Sequence, residues 1–297
     1  MNELKQINET TFYLECPSRV GFYLLSPHDV ILIDSGNDSD MGKKIKRILE
    51  EHEWQLSYII NTHSHADHTG GNQVLQKYYN CPIYASGIEA FVIQNPWFEP
   101  LYLYGGNPPS ILHNKFLEAK PSRVEDITQL SLPPQCEILP LKGHSFDMIG
   151  FKTKEDVYFL GDSLMSTETL DKYHINYLYD VKETLNTLAF LESLKGTFVL
   201  SHASITTDLK SLIQKNRDKI YEILQMIVTY LEKPHSEVEI VHFLVDHYQI
   251  HLNNNQWVLI SSTIRSYLTY LLNERKIITT FVDNVLYYEQ ERGKKYE

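Results

Sequence analysis

The chain has 297 residues, 38 of them acidic and 27 basic, for a net charge of −11. That length can bury a substantial core and predicts one large domain with a smaller one attached. The acidic balance argues against nonspecific nucleic-acid binding, which needs basic surface to neutralise phosphates. No apolar stretch approaches the ~20 residues needed to cross a bilayer. Residues 1–6 carry no apolar segment of signal-peptide type, so a cytoplasmic protein without a membrane partner is expected. Cys16, Cys81 and Cys136 are odd in number and far apart. They form neither a disulfide framework nor a C-x-x-C zinc site, and read as inert, buried thiols.

In chain order, residues 11–14, 21–25 and 30–34 read as short strands. Residues 42–53 read as a helix, with Asp38 or Ser39 as its cap and its basic residues on one solvated face. A buried strand ending in Tyr58-Ile59-Ile60 then runs into Asn61-Thr62-His63-Ser64-His65-Ala66-Asp67-His68-Thr69-Gly70-Gly71. Residues 70–79 read as a helix, so the histidine cluster sits on a strand-to-helix turn. His63 and His65 lie two apart and point to one side of an extended backbone. Asp67 and His68 follow as the chain turns and can address a second point. Imidazole with carboxylate suits zinc, with iron, manganese or cobalt as alternatives.

Residues 83–85 read as another strand, and then residues 87–129 break the rhythm. Pro96, Pro100, Pro108, Pro109 and Pro121 are mixed with Trp97, Phe98, Tyr102 and Tyr104. The segment is too long for an ordinary connection and too aromatic for a disordered one. It reads either as a helical insertion covering apolar surface or as a lid over a substrate, with Trp97 and Tyr104 as candidate substrate contacts. Gly143-His144 ends an apolar run. Residues 148–153 and 157–160 read as a strand pair closing on Gly161-Asp162, and residues 197–200 as a strand closing on Ser201-His202. Residues 181–195 read as a helix, with Asp180 and Glu183 spaced as a capping box. Tyr173, His174 and Tyr177 follow Asp162 closely enough to be candidate donors to a substrate oxygen.

The character changes near residue 211. Residues 221–231, 238–248 and 262–274 read as helices, and residues 276–281 and 285–288 as a hairpin around Asp283-Asn284. Three helices and a hairpin look like a winged helix. The helix that would read DNA offers Arg265 almost alone, and residues 211–297 hold ten basic and eleven acidic side chains. A packing or homodimerising module is therefore expected ahead of nucleic-acid binding.

Taken in order, these motifs resemble those of the metallo-β-lactamase-fold hydrolase superfamily over roughly residues 8–210. Thr62-His63-Ser64-His65-Ala66-Asp67-His68 looks like its signature. Gly143-His144, Gly161-Asp162 and Ser201-His202 look like its later ligand motifs, and Asp34-Ser35-Gly36 like its early turn. The resemblance implies an α+β fold, an αββα two-sheet sandwich over residues 1–210 with an insertion at 87–129, followed by a small winged-helix-like domain over 211–297. It implies one ion held by His63, His65 and His144, a second by Asp67, His68 and His202, and Asp162 shared between them. Asp34 would orient ligands without touching metal, and Asp67 and Asp162 would be catalytic. His65 stands where the redox branch carries Glu, so the likeness is to glyoxalase II-like and lactamase-beta-2-like hydrolases. Two zinc ions, or iron or manganese, would hold a hydroxide that attacks an ester, thioester or lactone in a small-molecule substrate. A phosphodiesterase or endoribonuclease and a non-enzymatic metal-binding protein are the alternatives. No G-x-S-x-G motif supplies a serine nucleophile.

Overall fold

The computed structural model describes residues 3–291. Its first sheet holds β1 (Leu4–Gln6), β2 (Thr11–Leu14), β3 (Val20–Leu24), β4 (Asp29–Ile33), β5 (Gln55–Ile60), β6 (Ile83–Ala85) and β7 (Glu125–Asp126), side by side in that order. Pairing is antiparallel from β1 to β4 and parallel from β4 to β7. The second sheet holds β8 (Glu137–Pro140), β9 (Ile149–Lys152), β10 (Val157–Phe159) and β11 (Thr197–Val199), in the order β11-β10-β9-β8.

Side-chain alternation is what stacks these sheets. In β4, Ile31 and Ile33 point into the space between the sheets, whereas Val30 and Leu32 point to the outer face. In β10, Val157 and Phe159 point inward to the same central cluster, and Tyr158 points outward. Helices α1 (Ser39–Glu51) and α3 (Asn72–Tyr79) cover the outer face of the first sheet, placing Ile45, Leu49 and Leu75 on it. Asp38 caps α1, its side chain accepting from the backbone N–H groups of Asp40 and Met41. Between these two helices lies the short α2 (Ala66–Thr69), and after β6 come α4 (Gly87–Gln94) and α5 (Phe98–Tyr104). After β10 come α6 (Thr167–Tyr173) and α7 (Val181–Leu191). Asp180 caps α7, its side chain accepting from the Glu183 N–H. The result is the αββα sandwich.

The C-terminal part holds α8 (Lys210–Tyr230), α9 (Glu237–His247) and α10 (Asn254–Asn273). With them goes a small sheet of β12 (His235–Ser236), β14 (Val285–Gln290) and β13 (Ile277–Val282), in that order. Two helices start earlier than the apolar pattern suggests. In α8, Ile213, Asn216 and Ile220 carry the buried stripe through a charged run that blurs the sequence signal. In α10, a capping box between Asn253 and Gln256 begins the helix well before residue 262. One apolar cluster joins Leu139, Phe198 and Leu200 of the sandwich to Ile223, Ile264 and Tyr267. The core therefore runs unbroken past residue 210, where α8 begins.

The 87–129 segment is ordered structure. Pro100 lies in the first turn of α5, where a backbone N–H has no helical partner to lose. Leu103, Leu112 and Leu117 pack on Val258 of α10. Cys81 and Cys136 are buried as expected, but Cys16 is only half-buried. Among the described residues, no helix is long and apolar enough to cross a membrane.

Candidate metal centre

Strand ends at one edge of the sandwich carry the histidine and aspartate motifs. His63 and His65 follow β5, and Asp67 and His68 lie in α2. His144 sits between β8 and β9, Asp162 just beyond β10, and His202 just beyond β11. Glycines let these turns close up. A Cβ at Gly70 would lie 2.3 Å from the Asn37 carbonyl carbon, and one at Gly71 2.4 Å from the Ser35 oxygen. The bare backbone permits the Ser35 N–H to reach the His68 carbonyl and the Gly70 N–H to reach the Gly36 carbonyl, each at 2.8 Å.

The side chains converge in three overlapping groups: His63, His65 and His144; His63, His68 and Asp162; Asp67, His68 and His202. Within each group, one donor atom per residue lies within 4.8 Å of the others. His65 Nδ1 is 3.0 Å from His63 Nε2 and 3.1 Å from His144 Nε2. Asp162 reaches both sides, with Oδ1 at 3.2 Å from His68 Nε2 and Oδ2 at 3.2 Å from His202 Nε2 and 3.5 Å from His144 Nε2. His68 Nε2 and Asp162 Oδ1 are buried and make no aligned hydrogen bond. Facing each other without good alignment, the two atoms compensate their burial poorly, and a cation between them would satisfy both. The donor set therefore fits a divalent ion.

Electrostatics divides the cluster. Burial holds His63 well below the usual imidazole range, and pushes His65 down to about 4 and His144 to about 3. Burial also opposes protonation of His68, but Asp162, Asp67 and Asp34 together outweigh it and raise the imidazole well above its ordinary value. Asp162 raises His202 to about 10. Burial works against the charge on Asp67 and Asp162, yet the neighbouring His68 and His202 hold both below the usual carboxylate range.

Asp34 sits behind the cluster in a left-handed conformation, φ +64°. Its Oδ1 accepts from the Thr62 N–H at 2.8 Å, and its Oδ2 accepts from Thr62 Oγ1 at 2.9 Å and His68 Nδ1 at 2.8 Å. That contact keeps a proton on His68 Nδ1 and turns Nε2 toward the cluster. Sequence motifs give no hint of two further supports. Ser18 Oγ donates to Asp67 Oδ2 at 2.6 Å. Arg19 Nη1 donates to the Leu200 carbonyl at 2.9 Å and to the Ala203 carbonyl, bracketing His202. Both residues lie between β2 and β3 and reach the site through folding alone.

A cleft of about 650 Å³ opens on Asp67 and His202, lined also by Ser18, Lys115, Phe116, Leu117, Tyr173 and Leu259. The Tyr177 ring stands edge-on to His65 at 5.4 Å, and its hydroxyl lies 3.2 Å from that of Tyr102. His174 stacks on Tyr248 and lines a separate cavity of about 30 Å³ with His144 and Asp162. Trp97 and Tyr104 are exposed and line neither space. The insertion reaches the cleft through Lys115, Phe116 and Leu117 instead.

The sequence profile of the metallo-beta-lactamase superfamily matches residues 16–221. By structure, the chain is similar to a beta-lactamase domain protein from Burkholderia ambifaria, with a TM-score of 0.76 at 14% identity over 97% of this chain and 94% of that one. It is also similar to a metallo-beta-lactamase family protein from Thermus thermophilus, with a TM-score of 0.68 at 16% identity over 97% and 98% of the two chains. At such identities the likeness is one of fold, and its coverage includes the C-terminal helices. By sequence, the chain is 33% identical over 60 residues to a probable metallo-hydrolase of Methanocaldococcus jannaschii, which is 20% of this chain and 29% of that protein. The chain spans about a third of the length of the curated relatives it matches. A profile match over most of the sequence and the shared sandwich lead to one assignment: this chain belongs to the metallo-beta-lactamase superfamily.

Proposed function

We propose that the protein is a dinuclear metal-dependent hydrolase of an ester, thioester or lactone, with zinc as the expected ion and iron or manganese as alternatives. One observation carries this reading: two donor groups meet at Asp162 beside an open cleft. When bound, such an ion pair supplies a water acidified toward neutrality and a Lewis acid for the substrate oxygen.

The chain's own residues supply the rest. His63, His65 and His144 are kept neutral by burial and donate without first losing a proton. Asp67 is tethered by Ser18 and 42% exposed, so it faces the cleft and can accept a hydrogen bond from an attacking water. Phe116, Leu117 and Tyr173 offer apolar walls to the acyl part of a substrate. A nuclease that follows a phosphate backbone uses a basic track, and Lys115 is the sole lysine or arginine among the residues lining this cleft. Residues 211–291 fit a packing module, since their apolar side chains complete the sandwich core.

A panel of thioesters, lactones, aryl esters, bis-p-nitrophenyl phosphate and single-stranded RNA tests the reading on metal-loaded protein. Turnover of one or more carbonyl substrates is expected. Turnover confined to the phosphodiesters would overturn it.

A further inference from the structure

The loops that carry the first group of histidines come from different sheets. His63 and His65 follow a strand of the first sheet, and His144 follows a strand of the second. Their donor atoms nevertheless lie 3.0–3.1 Å apart at His65 Nδ1. Glu89, on α4 at the start of the insertion, spans the gap and is 0% exposed. Its Oε2 accepts from the backbone N–H of Ser64, the residue between His63 and His65, at 2.9 Å. Its Oε1 accepts from the Asp147 N–H at 2.9 Å and from the Ser145 hydroxyl, both just beyond His144. Ser86, which precedes the same helix, donates its hydroxyl to the Asp147 carbonyl.

We propose that Glu89 is a positioning residue for the first metal site, fixing the spacing of the two histidine loops and making the insertion part of the metal centre. The proposal rests on the metal-binding reading above. All three groups facing Glu89 are donors, so both of its oxygens must accept. A glutamine would keep one accepting oxygen and press an NH₂ group against a donor on the other side. Asp67, His68 and His202 are supported differently, by Ser18, Asp34 and Arg19. The effect of losing Glu89 should therefore fall on one site only.

Cobalt(II) titration of metal-free, full-length protein, followed by absorption and chelator competition, tests this. Two backgrounds separate the sites: His202→Ala keeps the three histidines of the first, and His144→Ala keeps the donors of the second. In the His202→Ala background, Glu89→Gln should weaken cobalt binding about ten- to hundredfold and alter the cobalt spectrum. Ser145→Ala, which removes one of the three contacts, should shift binding the same way by less. In the His144→Ala background, Glu89→Gln should change nothing. Unchanged binding in the first background would overturn the proposal. So would equal weakening in both, which would make Glu89 an ordinary packing residue. If Glu89→Gln does not fold, Ser145→Ala decides, and unchanged binding there overturns the proposal. A wild-type chain that takes up fewer than two ions would sink the dinuclear reading, while the Glu89 comparison stays readable on the ion that remains.

Discussion

His63, His65 and His144 form one half of the cluster, and Asp67, His68 and His202 the other, and the two halves are built on opposite principles. The first half is imidazole alone, uncharged through burial and set in place by loops tied to Glu89. The second half mixes charges, and its Asp67 and His202 side chains are 42% and 27% exposed toward the cleft. A neutral, enclosed half is a socket ready for an ion. A charged half is an ion-pair network that must release protons before an ion can replace them. The cleft-facing side of the cluster is thus the side whose metal occupancy should depend on pH.

Removing the residue the halves share breaks the comparison most severely. In metal-free protein, Asp162→Ala would leave the protonated His68 without a main counter-charge in a fully buried position. Breaking such a pair costs about 3–5 kcal/mol, which a shift in urea midpoint would register. In metal-loaded protein, hydrolysis should fall nearly to background. Near-normal turnover would mean that one half suffices and that the shared role is wrong.

Titration sharpens the comparison without a mutation. His65 and His144 have folded pKa values of about 4 and about 3, below the unfolded value of about 6.5. Between those values the unfolded chain binds more protons, so their contribution to stability is present above about pH 6.5 and is lost as pH falls through 4 and 3. His202 is raised to about 10, so its contribution is present below about pH 6.5 and is lost as pH rises through 10. Denaturant unfolding of metal-free protein should therefore give a maximum near pH 6.5. Calorimetric metal titration near pH 7.5, in buffers of different ionisation heat, should show proton release from the second half only. Equal release from both halves would remove the distinction.

Much of the cluster was legible in the sequence, because His63, His65, Asp67 and His68 crowd together after one short apolar run, and His144, Asp162 and His202 each lie just beyond the end of another. Residues 30–33 and 157–160 are apolar throughout, so only the packing tells which side chains face the gap between the sheets, but the strands themselves were legible. The supports were not. Ser18, Arg19 and Glu89 meet the ligands only through sheet pairing and helix packing, and a glutamate in the first turn of a helix is locally ordinary. Trp97 and Tyr104 stood out by residue type, yet α5 buries Glu99, Pro100 and Leu103 and leaves both aromatics outward. The start of α10 was hidden by polar residues that form its capping box, and the start of α8, which has no side-chain cap, by a charged run that the tertiary core overrides.

The cleft offers a gentler test of the second half's role. Phe116 is 72% exposed at its rim, so a bound substrate would cover ring surface that is now open. Phe116→Ala should raise KM with kcat and metal content nearly unchanged, by roughly fivefold for a loss of about 1 kcal/mol of apolar contact. Trp97→Ala and Tyr104→Ala should leave KM alone. The reverse pattern in steady-state kinetics would put the substrate on the other side of the insertion.

The smallest effect is expected at Arg265, the one basic residue that a DNA-reading helix here would offer. Its Nη2 and Nε donate to Glu237 Oε1 at 2.7 and 2.9 Å, an exposed pair that joins α10 to α9. Such pairs contribute about 0–1 kcal/mol, so Arg265→Ala should barely move the unfolding midpoint. The helix itself is already engaged: it buries Val258, Ile264, Tyr267, Leu268 and Leu271, packs against α5 and α7, and donates from Ser266 to the Tyr179 carbonyl. A helix docked in this way has little free face to offer a major groove. Neither wild type nor Arg265→Ala should show salt-dependent binding of duplex DNA in a fluorescence titration. Both halves of the metal cluster should keep their affinities in the variant. Tight duplex binding by wild type that disappears in Arg265→Ala would reopen the nuclease reading and tie the C-terminal helices to the substrate.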